Sequence, residues 1–158
     1  LFAVYLAFLV WIVLLKGQFS LDVAGTMRSV NLVPLAGATV INGAADYRET
    51  VENLVAFVPF GLYLGMLAGR QPLWRGIAAV AAVSLGFEVL QFAFAMGASD
   101  VTDLIANTAG GALGLGFYAL ARRAFRSEGR ALRWCNAAGL ACTLLVLALT
   151  ALLVAANG

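Results

Sequence analysis

The sequence predicts an all-α membrane protein: a multi-pass transmembrane helix bundle of about five spans, with an interfacial or re-entrant segment between spans one and two. Three observations carry that prediction. Hydrophobic residues make up 63% of the 158 and charged residues only 11%, against about 25% charged in an ordinary soluble domain. A soluble core of this size cannot hide so much apolar surface, so the excess faces lipid. The apolar residues also fall into five stretches near the ~20 residues that a bilayer crossing needs. Finally, the basic residues of the short links gather on one side once those stretches alternate in direction.

The spans run roughly Phe2–Leu15, Val51–Ala68, Ile77–Met96, Leu104–Ala121 and Asn136–Ala156. No cleavage pattern follows Leu1–Leu15, so the first reads as a retained helix and not as a removed leader. The second carries Gly61, Gly65 and Gly69 four apart, and the fourth carries Gly110 and Gly114. Small residues at this spacing let backbones approach closely in lipid. Pro59 should kink span two and free a carbonyl that another helix or water must satisfy.

The links set the direction. Arg70 and Arg75 join spans two and three; Arg122, Arg123, Arg126, Arg130 and Arg133 join spans four and five, with one acid, Glu128. The positive-inside rule makes both links cytoplasmic. The expectation is a bacterial plasma-membrane protein with its N-terminus inside and its C-terminus outside. Lys16, Arg28, Arg48 and all the acids but Glu128 and Glu88 then lie outside.

Three polar groups need a reason. Ser84, Glu88 and Gln91, at i, i+4 and i+7, share one face of span three. Glu88 lies eight residues before Met96, about 12 Å below the outer end at 1.5 Å per residue. A carboxyl at that depth is costly and points to function; the plainer alternative is a protonated clamp between helices. Asp100, Asp103 and Asn107 form a second stripe at the start of span four. There, acids also cap free N–H groups and complement the helix dipole, which is the reading given to Asp100 alone. The third group lies in the 35 residues from Lys16 to Thr50 and just beyond: Arg28, Asn31 and Pro34, then Glu52 and Asn53. That stretch is long for a loop without structure of its own and mixes apolar residues with few charges, as an interfacial segment does. Folded over the bundle mouth, it would set Arg28 beside the acids.

Taken in order, Arg28…Asn31-Leu-x-Pro34, Asn53-x-x-x-Phe57-x-Pro59-Phe60-Gly61, Ser84-x-x-x-Glu88-x-x-Gln91 and Asp100-x-x-Asp103-x-x-x-Asn107-Thr108-x-Gly110 resemble the VanZ-like family. The resemblance spans roughly residues 28–116 and implies one VanZ-like domain over 1–158. It also implies an antibiotic-resistance role, since the family's namesake is associated with low-level resistance to the lipoglycopeptide teicoplanin. There is one departure: Gly97, Ala98 and Ser99 occupy the stretch where the family usually has an arginine before the first aspartate.

The preferred reading is an envelope protein that binds a lipid-linked or amphipathic molecule at an outer-face site. Its ligand-binding residues are Arg28, Asn31, Asn53, Ser84, Glu88, Gln91, Asp100, Asp103 and Asn107. One alternative is a structural or accessory subunit of a larger membrane complex. Another is an enzyme acting on an envelope lipid, with Glu88 or Asp103 as acid or base. No cofactor and no resident metal are expected, although three acids with Asn and Gln offer donors for a hard cation in the enzymatic alternative. The chain has no histidine, which removes the commonest base and metal ligand. Cys135 and Cys142, seven apart, fall on about one helical face and read as packing residues. The expected partners are membrane lipids, a lipid-linked envelope molecule and other membrane subunits. Nucleic acid is excluded, because the arginine-rich link is explained by topology and anionic lipid. Transport is disfavoured by the lack of internal repeats and of a continuous polar path.

Overall fold

A computed structural model describes residues 2–15, 27–34, 39–41, 44–94 and 96–157. Five helices stand where the five apolar stretches lie: α1 (Phe2–Leu15), α2 (Arg48–Ala68), α3 (Leu73–Ala93), α4 (Val101–Phe125) and α5 (Glu128–Asn157). Among the described residues, α2, α3 and α4 are long and apolar enough to cross a membrane, and the shorter Phe2–Val13 is apolar throughout. The outward faces are those of a protein solvated by lipid: Val55, Val89, Leu120 and Leu145 are each more than half exposed.

The helix ends differ from the predicted spans for physical reasons. α2 begins three residues early, where Arg48 pairs with Glu52 at 2.8 Å in an exposed i, i+4 bridge. α4 and α5 likewise run on into the arginine-rich link. α3 is displaced the other way. It starts directly after Pro72 and stops at Ala93, and Met96, the predicted end of span three, lies in a strand. Glu88 is therefore five residues from the end of its helix, about 7.5 Å instead of 12 Å at 1.5 Å per residue.

The packing of α2 against α4 is backbone on backbone. A Cβ on Gly61 would fall on the Gly111 carbonyl, one on Gly110 on the Leu54 carbonyl, and one on Gly114 on the Val58 carbonyl. Of the glycines predicted to pack, Gly61, Gly110 and Gly114 make this backbone contact, as expected where packing replaces the hydrophobic force, while Gly65 faces the Tyr118 ring and Gly69 caps α2. Val80 of α3 fills the groove over Gly111, and Leu115 of α4 fits over Gly76. α1 lays Tyr5, Leu9 and Val13 against this core, with Phe57, Phe60, Tyr63 and Phe87. The Tyr5 hydroxyl donates to the Ala56 carbonyl, next to Val55, whose carbonyl loses its i+4 donor to Pro59. The donor from α1 thus goes to the carbonyl of Ala56 and not to the Val55 carbonyl that Pro59 frees.

α5 presents Ala131, Cys135, Gly139 and Thr143 inward. An i, i+4 stripe drifts around a helix by about 40° per step, so the contact line winds away from the heptad position. Cys135 is buried and Cys142 exposed; only the first is a packing residue, contrary to expectation.

The segment between α1 and α2 holds short strands. β1 (Met27–Asn31) pairs in parallel with β4 (Met96–Asp100), and β2 (Thr39–Ile41) pairs antiparallel with β3 (Ala44–Asp46). The remainder of the predicted interfacial segment, 16–26, 35–38 and 42–43, lies outside the described residues.

Candidate functional site

The β1–β4 pairing gathers the polar residues at one end of the bundle. It joins the segment before α2 to the link between α3 and α4, in a register that sets Arg28 opposite Gly97 and Asn31 opposite Asp100. Asn31 Nδ2 then donates to Asp100 Oδ2 at 3.0 Å, while its Oδ1 accepts from Val33 N at 3.1 Å and turns the chain. The expected approach of the Arg28 guanidinium to the acids lies outside the described side chains. Its backbone nonetheless sits across from the stretch where the family arginine is missing.

Asp100 caps α4 as expected: its Oδ1 accepts from Thr102 N at 2.7 Å. Its own N–H donates to Glu88 Oε2 at 3.0 Å, and Ser99 Oγ donates to the Glu88 carbonyl at 2.9 Å. Glu88 thereby ties the end of α3 to β4. It is 7% exposed, so its carboxyl is held by protein and not by bulk water.

One turn deeper, Asn107 Nδ2 donates to Ser84 Oγ at 2.9 Å, with both residues fully buried. Gln91 Nε2 donates to the Val13 carbonyl of α1 at 2.8 Å. Both amides keep one unpartnered buried atom, Asn107 Oδ1 and Gln91 Oε1. Exchanging oxygen and nitrogen in Asn107 still leaves one polar atom without a partner, and in Gln91 it would set oxygen against the Val13 carbonyl and leave both unpartnered. Such orphans are uncommon in a folded interior, because each carries a desolvation cost. Asp103 is buried at the same end; Asn53 is buried on α2 and makes no side-chain hydrogen bond among the described residues.

The predicted residues Asn31, Ser84, Glu88, Gln91, Asp100, Asp103 and Asn107 thus share one end of the bundle, and Asn53 lies inward on the adjoining helix. Ser99 and Thr102 are additional members. A serine followed by Asp-Val-Thr at a helix start carries only the signal of a cap, so Ser99's reach to Glu88 was not legible in advance. Among the described residues no three acids gather closely enough to hold a metal ion. Ser84 takes its hydrogen bond from an amide and Ser99 gives its own to a carbonyl, so neither is coupled to a base in the manner of an activated nucleophile. What the site offers is buried hydrogen-bonding atoms without protein partners, Asn107 Oδ1 and Gln91 Oε1, beside a buried carboxyl-bearing helix end.

The opposite end is basic. Gly69, with φ of 61°, ends α2, and its carbonyl accepts from Arg122 Nη1 at 2.8 Å. The helices alternate in direction between these two chemically distinct ends.

Comparison with known proteins agrees with the sequence motifs. The chain is 41% identical over 125 residues to Protein VanZ of Enterococcus faecium, covering 78% of this chain and 74% of that protein. No solved structure matches it. The VanZ/LLP1 family profile matches residues 2–122, from α1 through nearly all of α4, and the chain is a membrane protein of the VanZ/LLP1 family.

Proposed function

We propose that this protein lowers susceptibility to a lipoglycopeptide of the teicoplanin type by binding an amphipathic or lipid-linked molecule at the polar end of its bundle. The observation that carries the reading is the pair of buried amides, Gln91 and Asn107, each with one unpartnered atom, at the same end of the bundle as buried Glu88. Hydroxyl and amide groups of a ligand headgroup would satisfy them, and the lipid-facing helices would accept its chain. The positive-inside rule supports an outward polar end, since the arginines of both helix links lie at the other. With that orientation the site would lie in the outer leaflet of the plasma membrane, on the side from which a lipoglycopeptide arrives.

The test is Glu88→Gln, which keeps a carbonyl oxygen to accept from Asp100 N–H and removes the charge. In a susceptible bacterial host, the wild-type chain should raise tolerance to teicoplanin, and Glu88→Gln should abolish that gain at unchanged membrane abundance. Native mass spectrometry of both proteins in mild detergent should show a small molecule retained by the first and lost from the second. A fully active Glu88→Gln with the same bound molecule would overturn the reading.

A further inference from the structure

The arginine end contains a pocket that the polar-end reading does not use. It has a volume of about 410 Å³ and is lined by Arg70, Arg122, Arg123, Arg126, Ser127 and Glu128, a size within the ~300–1,000 Å³ of small-molecule sites. Four arginines against one glutamate leave a net charge of +3. Among the described residues none of these arginines is within ion-pair distance of Glu128 or another carboxylate, so the charge is uncompensated inside the protein.

The pocket is formed by the fold. Arg122 is half-buried, and its bond to the Gly69 carbonyl ties the α2 end to α4. Arg126 takes a left-handed conformation, φ 47°, that turns the chain out of α4 and into α5. Ser127 immediately precedes α5, whose first-turn N–H groups also favour an anion. Beneath lies Tyr118, one turn before Arg122, with a buried hydroxyl that has no partner and within electrostatic reach of Arg122 and Glu128.

The apolar surroundings indicate which anion. Leu120 lies three residues before Arg123 on the same face of α4, and Leu67 lies in the last turn of α2, three residues before Arg70 in the turn that follows; Leu67 is 71% exposed and Leu120 62%. A phosphate seated among the arginines would lay its attached chains along these leucines. A soluble anion would make no use of them.

We propose that this pocket binds the phosphodiester headgroup of an anionic membrane phospholipid. Arginine forks grip the phosphate oxygens in pairs, and the lipid ties the α2–α3 link to the α4–α5 link.

The test compares two double variants of the full chain that change charge equally in the same link. Arg123→Gln/Arg126→Gln alters the pocket; Arg130→Gln/Arg133→Gln alters exposed arginines of α5 outside it. Native mass spectrometry in mild detergent, titrated with phosphatidylglycerol or phosphatidylcholine, reads lipid retention. Each arginine near an anionic surface contributes about fivefold in affinity, so the pocket variant should bind phosphatidylglycerol about thirtyfold more weakly than wild type. The Arg130/Arg133 variant should bind as wild type, and phosphatidylcholine should be retained by none. Equal losses in the two variants would reduce the effect to general charge and overturn the site, as would equal retention of the two lipids. Thermal protection by inorganic phosphate alone, lost in the pocket variant, would support the anion site while making its source soluble. These outcomes are read without teicoplanin or Glu88, so they stand apart from the fate of the polar-end reading.

Discussion

Replacing Gly110 by alanine adds one methyl group at the contact that sets the spacing of α2 and α4. The new Cβ would lie 2.9 Å from the Leu54 carbonyl carbon and 3.2 Å from its Cα, closer still to the carbonyl oxygen, where ordinary contact begins at 3.4 Å. Both partners are main chain, so no rotamer change relieves the overlap. The overlap is 0.5 Å at that carbon (3.4 − 2.9) and greater at the carbonyl oxygen, so α4 must retreat by more than 0.5 Å. A gap of about 0.5–1 Å forfeits roughly a quarter to a half of each facing dispersion contact, and the retreat also loosens Gly61 on Gly111 and Gly114 on Val58. Overpacking of this kind costs about 1–3 kcal/mol, while alanine's better helix propensity returns up to about 1 kcal/mol. The expected net loss is about 1–2 kcal/mol. Gly116→Ala is the control, because a Cβ there meets nothing within 4 Å; it should be neutral or up to about 1 kcal/mol more stable. Reversible unfolding of the purified protein in mixed micelles, followed by circular dichroism, measures both. A Gly110→Ala protein as stable as Gly116→Ala would refute the backbone-contact argument.

Two further outcomes follow from the same geometry. Asp100→Ala removes the cap on Thr102 N and the partner of Asn31 and should cost about 1–2 kcal/mol; Asp100→Asn, which retains an acceptor oxygen, should recover most of it in the same unfolding assay, and equal losses would contradict the capping role. Cys135→Leu, which overfills the inward stripe of α5, should cost about 1–3 kcal/mol in the same assay, whereas Cys142→Leu on the exposed face should be close to neutral, with equal effects speaking against that stripe.

Hydropathy made the helices legible because each is long enough to carry its own signal. The Ser84, Glu88 and Gln91 stripe was legible for the related reason that a 3.6-residue period puts them on one face. Both sets of information are local. The β1–β4 pair was not legible: Met-Arg-Ser-Val-Asn and Met-Gly-Ala-Ser-Asp show no clean alternation, and their residues are 69 positions apart. Parallel pairing at that distance depends on the helices first bringing the ends together. The Asn31–Asp100 bond depends on that register, so the sequence showed both residues as polar without showing that they meet. Pro59 behaved similarly, since it announced the need for a hydrogen-bond donor but not that Tyr5 would provide one to the adjoining carbonyl. The cysteine spacing misled because a straight seven-residue rule ignores the drift of the packed face around α5.

The polar and basic ends are both carried by α4, and this links their geometry. Asp100 starts the helix, Asn107 meets Ser84 one turn below Asp103, and Gly110, Gly111 and Gly114 fix its distance from α2 and α3. Arg122 then anchors its far end to Gly69. The glycine contacts are main chain against main chain and leave little room for sliding, so they set the height of Asn107 against Ser84 and of Arg122 against Gly69 together. In lipid, where apolar side chains gain little by leaving their solvent for one another, such a contact specifies register better than a layer of leucines would. The consequence is a bundle whose closest backbone contacts lie at its middle and whose polar and basic side chains lie at its two ends. Each end is built from links that the middle holds in place, which is why a methyl group at Gly110 should displace Asn107 as well as weaken the fold.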